Sequence, residues 1–141
     1  QVIRGSGRSY ISFPTGDRLE MLSLHEWGHS FVNPSVEKHP ALVKKLTPQY
    51  NKVSTIMENQ AYGSVGTFVK ELILRAVNSI AVRELYGENS FKTSIENNKN
   101  KGFYLIDEVI KELEYYQAHR DKYPRFDQYT EVLLKNIIKI N

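Results

Sequence analysis

Two histidines and a glutamate stand close together in the stretch SLHEWGHSFVNP at residues 23–34. His25 and His29 are four residues apart, and Glu26 follows the first histidine directly. On an α-helix, this spacing places the two imidazoles about 40° apart on one face, one turn above the other. Both rings can then reach a single cation, and Glu26 can act as a general base on a water molecule at that cation. The pattern predicts a catalytic site with one zinc ion.

Chance is the competing explanation for this pattern, because shuffling a chain of this composition produces it in roughly one sequence in a hundred. The residues between the histidines, Trp27 and Gly28, are neither charged nor proline, and the apolar residues Leu24 and Phe31 flank the pattern. We therefore interpret the pair as metal ligands, with a structural or surface pair as the alternative. Gly28 costs about 1 kcal/mol in a helix interior relative to Ala, which predicts a close packing contact there.

A catalytic zinc ion takes three protein ligands and leaves its fourth position for water. The chain contains no cysteine, so the third ligand must be a histidine or a carboxylate. The position six residues after His29 is Ser35 rather than a histidine, and we expect His39 to be a surface residue. The remaining candidates are three glutamates on later segments, Glu58, Glu71 and Glu84.

Glu71 is the candidate that we favour, because it belongs to a polar strip on an otherwise apolar helix. Glu71, Arg75 and Asn78 follow one another at spacings of four and three residues. A polar strip on such a helix indicates polar partners in the interior. The alternative is an ordinary Glu71–Arg75 ion pair that faces water.

These residues require helices to position them, and the sequence predicts a mainly α fold (α+β), a helical domain with a small N-terminal edge strand or hairpin. Apolar periodicity, capping residues and prolines predict helices over residues 18–33, ended by Pro34, from Pro40 through ALVKKL, and over residues 65–86, 103–120 and 127–140. Residues 47–63 give no clear prediction. The Asn-rich and Lys-rich residues 88–101 predict a long surface loop.

Alternation around Tyr10 predicts an edge strand over residues 8–13, followed by a turn at residues 14–17 and an N-cap at Asp17. In zinc peptidases with a His-Glu-x-x-His helix, the edge strand before that helix pairs with the substrate backbone, so the resemblance of the motif implies that this strand binds a peptide substrate, with Tyr10 as a substrate contact. The alternative is a plain edge strand covered by a loop.

Peptide hydrolysis also needs a donor for the developing oxyanion, usually a Tyr, His or Arg across the cleft. The candidates are Tyr62, Arg75, Tyr104 and His119. We favour Tyr104, which follows Gly102 at the start of a helix, although most tyrosines of a small domain serve in packing. Arg75 can instead bind a carboxylate of the substrate, while pairing with Glu71 is the plainer expectation.

Length and composition bound the remaining function classes. With 141 residues, the chain is expected to form one domain over residues 1–141, and since it begins with Gln1 we expect it to be part of a longer or processed precursor. The net charge of +3 is spread over basic residues interspersed with acids, so we expect no nucleic-acid binding. No run of 18 apolar residues is present, so we expect no membrane span.

The motif HEWGHSFVNP, followed by ELILRA at residues 71–76 and GFYLIDEVIKELEYYQAHRDKYPRF at residues 102–126, resembles two nested groups of proteins. The broader group is the gluzincins, zinc metallopeptidases that combine His-Glu-x-x-His with a glutamate ligand on a later helix. The narrower one is a bacterial family described as domain of unknown function 4932, whose members are regarded as extracytoplasmic metallopeptidases. The resemblance covers most of the chain.

This resemblance implies a zincin-like fold, with His25, His29 and Glu71 as zinc ligands and Glu26 as the base. It also implies that Arg75 is a recurrent companion of the third ligand, and that the protein is periplasmic, cell-surface or secreted. Many gluzincins carry an acid where this chain has Arg75, so the surroundings of the ligands must differ.

The leading hypothesis is a zinc-dependent peptidase acting on a peptide or protein. Its main rival is a catalytically silent metal-containing domain that binds a partner. A metal-free helical interaction domain is favoured only if the polar strip proves exposed and far from His25.

Overall fold

A long central helix, with seven others around it, organises the part of the chain that the computed structural model describes. That part comprises residues 18–140, and for residues 18–27 it comprises the helical backbone without the side chains. The helices are α1 (Arg18–Glu37), α2 (Pro40–Lys44), α3 (Thr47–Asn51), α4 (Ser54–Asn59), α5 (Val65–Tyr86), α6 (Glu88–Asn100), α7 (Ile106–Ala118) and α8 (Phe126–Ile138). The prediction of a mainly helical domain is confirmed. The predicted N-terminal strand, the turn and the Asp17 cap lie outside the described residues.

The central helix is α5, which packs against α1, α2, α3, α6 and α7. It begins at Val65 after Ser64, whose hydroxyl accepts a hydrogen bond from the Thr67 amide, and it ends at Gly87, whose φ is 93°. Both predicted ends of this helix are confirmed. Its predicted apolar face is also confirmed, since these side chains are buried: Phe68, Val69, Leu72, Ile73, Ala76, Val77, Ile80 and Ala81.

The prediction that Pro34 ends the first helix is wrong, because α1 continues to Glu37 with Pro34 inside it. Proline removes one backbone hydrogen bond and its ring crowds the preceding turn, at a cost of about 3 kcal/mol. The extra turn buries Val36, which is 1% exposed, and complete burial of such a side chain contributes about 1.5–3 kcal/mol. The tertiary contact therefore offsets most of the local penalty.

The prediction of a surface loop at residues 88–101 is also wrong, because this stretch forms α6. Its contact face is narrow and consists of Phe91, Ile95 and Asn98, at the i, i+4, i+7 spacing of one helical face. Glu88 in the first turn and Lys99 in the last turn complement the helix dipole. Residues 47–63, where the sequence was uninformative, contribute the short helices α3 and α4.

The end of α4 carries a strained residue next to the candidate site. Ala61 has a φ of 69°, in the left-handed region that favours glycine. Its amide donates to the Glu58 carbonyl (3.0 Å), and the Tyr62 amide donates to the Met57 carbonyl (2.9 Å), which is the Schellman arrangement. This turn ends α4 and determines where Tyr62, the next residue after Ala61, is placed.

Replacing Ala61 with glycine is therefore expected to stabilise the protein. The left-handed conformation costs a non-glycine residue about 1–2 kcal/mol, and glycine avoids this cost. Glycine also gives the unfolded chain more conformational entropy, which reduces the gain in stability by about 0.4–1 kcal/mol. Urea denaturation should show a free energy of unfolding higher by about 0.5–1 kcal/mol for Ala61→Gly. The control, Gly102→Ala, should destabilise, because Gly102 has a φ of 100° and an added Cβ would collide with Met57. A destabilised Ala61→Gly protein would contradict the assigned turn.

Candidate metal centre

A histidine from α1 meets a buried glutamate from α5. The Nε2 atom of His29 lies 3.7 Å from Oε2 of Glu71. The Glu71 side chain is 6% exposed and the His29 side chain 33% exposed, so the pair lies at the edge of the interior. The two other candidate glutamates, Glu58 and Glu84, are exposed. Of the three candidate glutamates, Glu71 is therefore the buried one, as a ligand on an interior helix should be.

The two oxygens of the Glu71 carboxylate have different surroundings. Oε1 accepts hydrogen bonds from the Tyr62 hydroxyl and from Nε of Arg75, both at 3.2 Å. Oε2 faces His29. One oxygen is thus held by two donors, while the other is directed at the imidazole.

The separation between Oε2 and Nε2 is slightly longer than that of two ligands of one zinc ion. It exceeds the 3.2 Å upper range of ordinary N–H···O hydrogen bonds. Zinc bonds of about 2.0–2.2 Å at tetrahedral angles separate neighbouring ligand atoms by roughly 3.3–3.5 Å. A shift of a few tenths of an ångström, which side-chain rotation supplies, brings the pair to that separation. An imidazole nitrogen and a carboxylate oxygen are also donor types that zinc prefers.

His25 and Glu26, the other predicted residues of this motif, belong to α1, and His25 precedes His29 by one helical turn. Their side chains are outside the described part of the chain. Among the side chains that are described, no three of His, Asp or Glu form a group that could hold a metal ion. The complete ligand set of His25, His29 and Glu71 therefore stays a prediction.

Gly28 explains how α1 comes close enough to α5 for this meeting. A Cβ atom added at Gly28 would collide with Cδ1 of Leu74, which is fully buried on α5. The predicted close contact at Gly28 is thus confirmed. Since Gly28 precedes His29, and Leu74 lies three residues after Glu71, the contact also sets the distance between the two candidate ligands.

Replacing Gly28 with alanine is expected to destabilise the protein despite the better helix propensity of alanine. The propensity gain of about 1 kcal/mol is outweighed by overpacking against Leu74, which costs about 1–3 kcal/mol. Thermal or urea denaturation should show a net loss of about 1 kcal/mol. The matched control is Gly66→Ala in the first turn of α5, where an added Cβ meets no atom within 4 Å and stability should not fall. Equal effects of the two substitutions would contradict the close approach.

Arg75 is held on several sides at once. Besides its bond to Glu71, Nη1 donates to Oδ1 of Asn98 (2.9 Å) and Nη2 to the Tyr62 hydroxyl (3.3 Å). The guanidinium also lies over the Phe103 ring, 4.7 Å from its centroid. The expected Glu71–Arg75 pair is confirmed, and the alternative that it faces water is wrong. Contact of Arg75 with a substrate carboxylate stays a prediction.

The four candidate oxyanion donors lie in different surroundings. Tyr62 and Arg75 contact Glu71 directly. The Tyr104 hydroxyl donates to the Gln49 backbone carbonyl (3.0 Å), and burial raises its pKa. The His119 ring stacks on Tyr115, with 3.9 Å between centroids. The structure therefore brings Tyr62 and Arg75 to Glu71, while the favoured candidate Tyr104 has its hydroxyl on a backbone carbonyl.

Other predicted residues lie as follows. Tyr10 is outside the described residues, and His39, expected at the surface, is half-buried. Asn98 was not predicted, because it lies in the stretch interpreted as a loop. The available signal was the spacing of Phe91, Ile95 and Asn98, which places the amide on the only apolar face of α6.

Comparison with known proteins identifies a family for this chain. No curated protein and no solved structure shows significant similarity to this chain. Residues 11–136 match a family described as a domain of unknown function, DUF4932. This range includes the His25–His29 motif, Glu71 and all of α1 to α7. The chain therefore belongs to the DUF4932 family.

Proposed function

We propose that this domain is a zinc-dependent metallopeptidase of the gluzincin type, with His25, His29 and Glu71 as the ligands of one zinc ion. The observation that carries the proposal is the position of the Glu71 carboxylate. It is buried on a different helix from the histidine motif, and Oε2 nevertheless faces His29. This position supports the choice of Glu71 as the third ligand.

Each side chain has a definite task in the proposed mechanism. Held by His25, His29 and Glu71, a zinc ion would supply Lewis-acid chemistry, polarising the peptide carbonyl and making the attacking water more acidic. Glu26, one residue after His25, accepts the proton of the attacking water and passes it to the leaving amine. The close contact between Gly28 of α1 and Leu74 of α5 keeps His29 and Glu71 near each other.

Arg75 is the oxyanion donor that we propose in place of Tyr104. A guanidinium carries five N–H groups, and three of them are used by Glu71, Asn98 and Tyr62. The others can donate to the developing oxyanion or to a substrate carboxylate. The Tyr104 hydroxyl, in contrast, already donates its hydrogen bond to the Gln49 backbone carbonyl.

We further propose that the protein acts outside the cytoplasm of a bacterium on a peptide or protein substrate, as the resemblance to metallopeptidases implies. None of the helices in the described part of the chain is long and apolar enough to cross a membrane. We propose no nucleic-acid partner, because the basic residues are interspersed with acidic ones.

Activity of the wild-type protein tests the proposal. The zinc-loaded protein should cleave members of a random peptide library, a chelator should stop cleavage, and added zinc should restore it. The His25→Ala variant should lose both zinc and cleavage. One bound zinc ion with no cleavage of any peptide would instead favour the catalytically silent binding domain. A wild type that binds no zinc would contradict the metal site itself. The metal-free interaction domain required an exposed polar strip, and Glu71 in that strip is buried.

A further inference from the structure

We infer that Asn98 on α6 is a positioning residue for the metal site, which acts through Arg75 to leave Oε2 of Glu71 as the one carboxylate oxygen that can bind the ion. This inference rests on the proposed function. It assigns a role to the helix at residues 88–100, which the hydrolytic mechanism does not otherwise use.

The Asn98 side chain is fixed within the protein. The residue is 8% exposed, and its Nδ2 donates to the Ser94 backbone carbonyl at 2.9 Å. The same amide nitrogen lies 3.4 Å from the Ser79 hydroxyl, which itself shares a 2.8 Å hydrogen bond with the Ser94 hydroxyl. With its donors used in this way, the amide presents its oxygen, Oδ1, to Arg75. The orientation of the amide is therefore determined by α5 and α6 together.

Asn98 in turn fixes the plane of the Arg75 guanidinium. Nη1 bonds to Asn98, Nη2 bonds to the Tyr62 hydroxyl, and Phe103 covers the flat face of the group. A planar group held at two ends and on one face has no freedom to rotate. Its third nitrogen, Nε, then points at Oε1 of Glu71.

The consequence for Glu71 is a carboxylate with unequal oxygens. Tyr62 and Arg75 both donate to Oε1, which cannot approach a cation without losing these bonds. Oε2, on the side of His29, is left for the ion. Ligation through one oxygen would leave the ion four-coordinate with water as the fourth ligand, whereas ligation through both oxygens would raise the coordination number to five. Outer partners of this kind typically change metal affinity 10–100-fold.

Cobalt titration of Asn98 variants tests this inference, since Co²⁺ replaces zinc and its visible spectrum reports the coordination number. Asn98→Leu has a similar volume but removes the acceptor of Arg75. We expect its Co²⁺ affinity to fall about 10–100-fold and its spectrum at saturation to shift from four-coordinate towards five-coordinate. Asn98→Asp keeps an oxygen for Arg75 and should retain the wild-type spectrum. Asn97→Leu, at the neighbouring exposed position, is the matched control and should change neither property.

The outcomes separate this inference from the proposed function. If the wild type binds one Co²⁺ ion and Asn98→Leu is folded with unchanged affinity and spectrum, the positioning role is wrong while the metal site stands. If the wild type binds no Co²⁺, both are wrong. Circular dichroism checks the fold, and should Asn98→Leu fail to fold, Asn98→Ser, whose short side chain does not reach Arg75, carries the same expectation. Lower stability with unaltered cobalt binding would mean that Asn98 has a structural role only.

Discussion

Replacing Glu26 with glutamine is expected to slow peptide hydrolysis by several orders of magnitude while zinc binding stays at the wild-type level. The substitution keeps the size of the side chain but removes its ability to accept a proton. General acid–base catalysis by a positioned side chain contributes about 10²–10⁴-fold, so kcat should fall by that factor. The affinity for zinc should not change, because the proposed ligands are His25, His29 and Glu71. Steady-state cleavage of a library-selected peptide and zinc analysis of the same preparation provide both measurements.

The matched control for this substitution is Glu37→Gln. Glu37 also lies on α1, but it is exposed and pairs with Lys70 at the far end of the helix from the histidine motif. Its replacement should leave kcat unchanged. If Glu26→Gln cleaves peptides as fast as the wild type, Glu26 is not the general base. A variant that has lost its zinc as well would show that Glu26 is needed for the metal site rather than for proton transfer.

Replacing Glu71 with glutamine is expected to weaken zinc binding more than any change outside the ligand set. A neutral amide oxygen is a poorer ligand than a carboxylate, and the amide also leaves Arg75 without an anionic partner in a largely buried position. Losing an outer partner costs about 10–100-fold in affinity, so losing a ligand should cost more than about 100-fold. The free energy of unfolding should also fall by about 1–3 kcal/mol, as expected when a buried hydrogen-bonded group loses its partner.

Isothermal titration with zinc and urea denaturation measure these two effects separately. Glu84→Gln is the control, since Glu84 lies on the same helix and is exposed, and it should change neither quantity. Zinc affinity that stays at the wild-type level in Glu71→Gln would remove Glu71 from the ligand set. Such a result would leave the ion pair with Arg75 as the only role of this glutamate.

The residues that sequence reasoning located correctly share a strong local signal. The central helix α5 has apolar side chains on most of its circumference, which predicts a long interior helix. Gly87 marks its end. Glu71 stood out for the same reason, because a charged residue on an interior helix needs a partner. Gly28 inside α1 likewise indicated a close contact, which proved to be with Leu74.

The features that the sequence did not reveal depend on contacts between distant segments. The helix α6 has only Phe91, Ile95 and Asn98 on its buried face, and its many Asn and Lys residues suggested a loop. Pro34 has a strong local tendency to end a helix, which the burial of Val36 overcomes. Tyr62 reaches Glu71 through a turn in which Ala61 adopts a conformation typical of glycine, and no spacing rule predicts that placement.

X-ray absorption spectroscopy of the one-to-one zinc complex tests most directly whether residues of α1 and α5 bind one ion together. The proposed site predicts a four-coordinate zinc ion with two imidazole nitrogens and two oxygens, one from Glu71 and one from water, at about 2.0–2.2 Å. In Glu71→Gln, the signal from the carboxylate should disappear. A spectrum with fewer than two imidazoles, or one that Glu71→Gln leaves unchanged, would contradict the site.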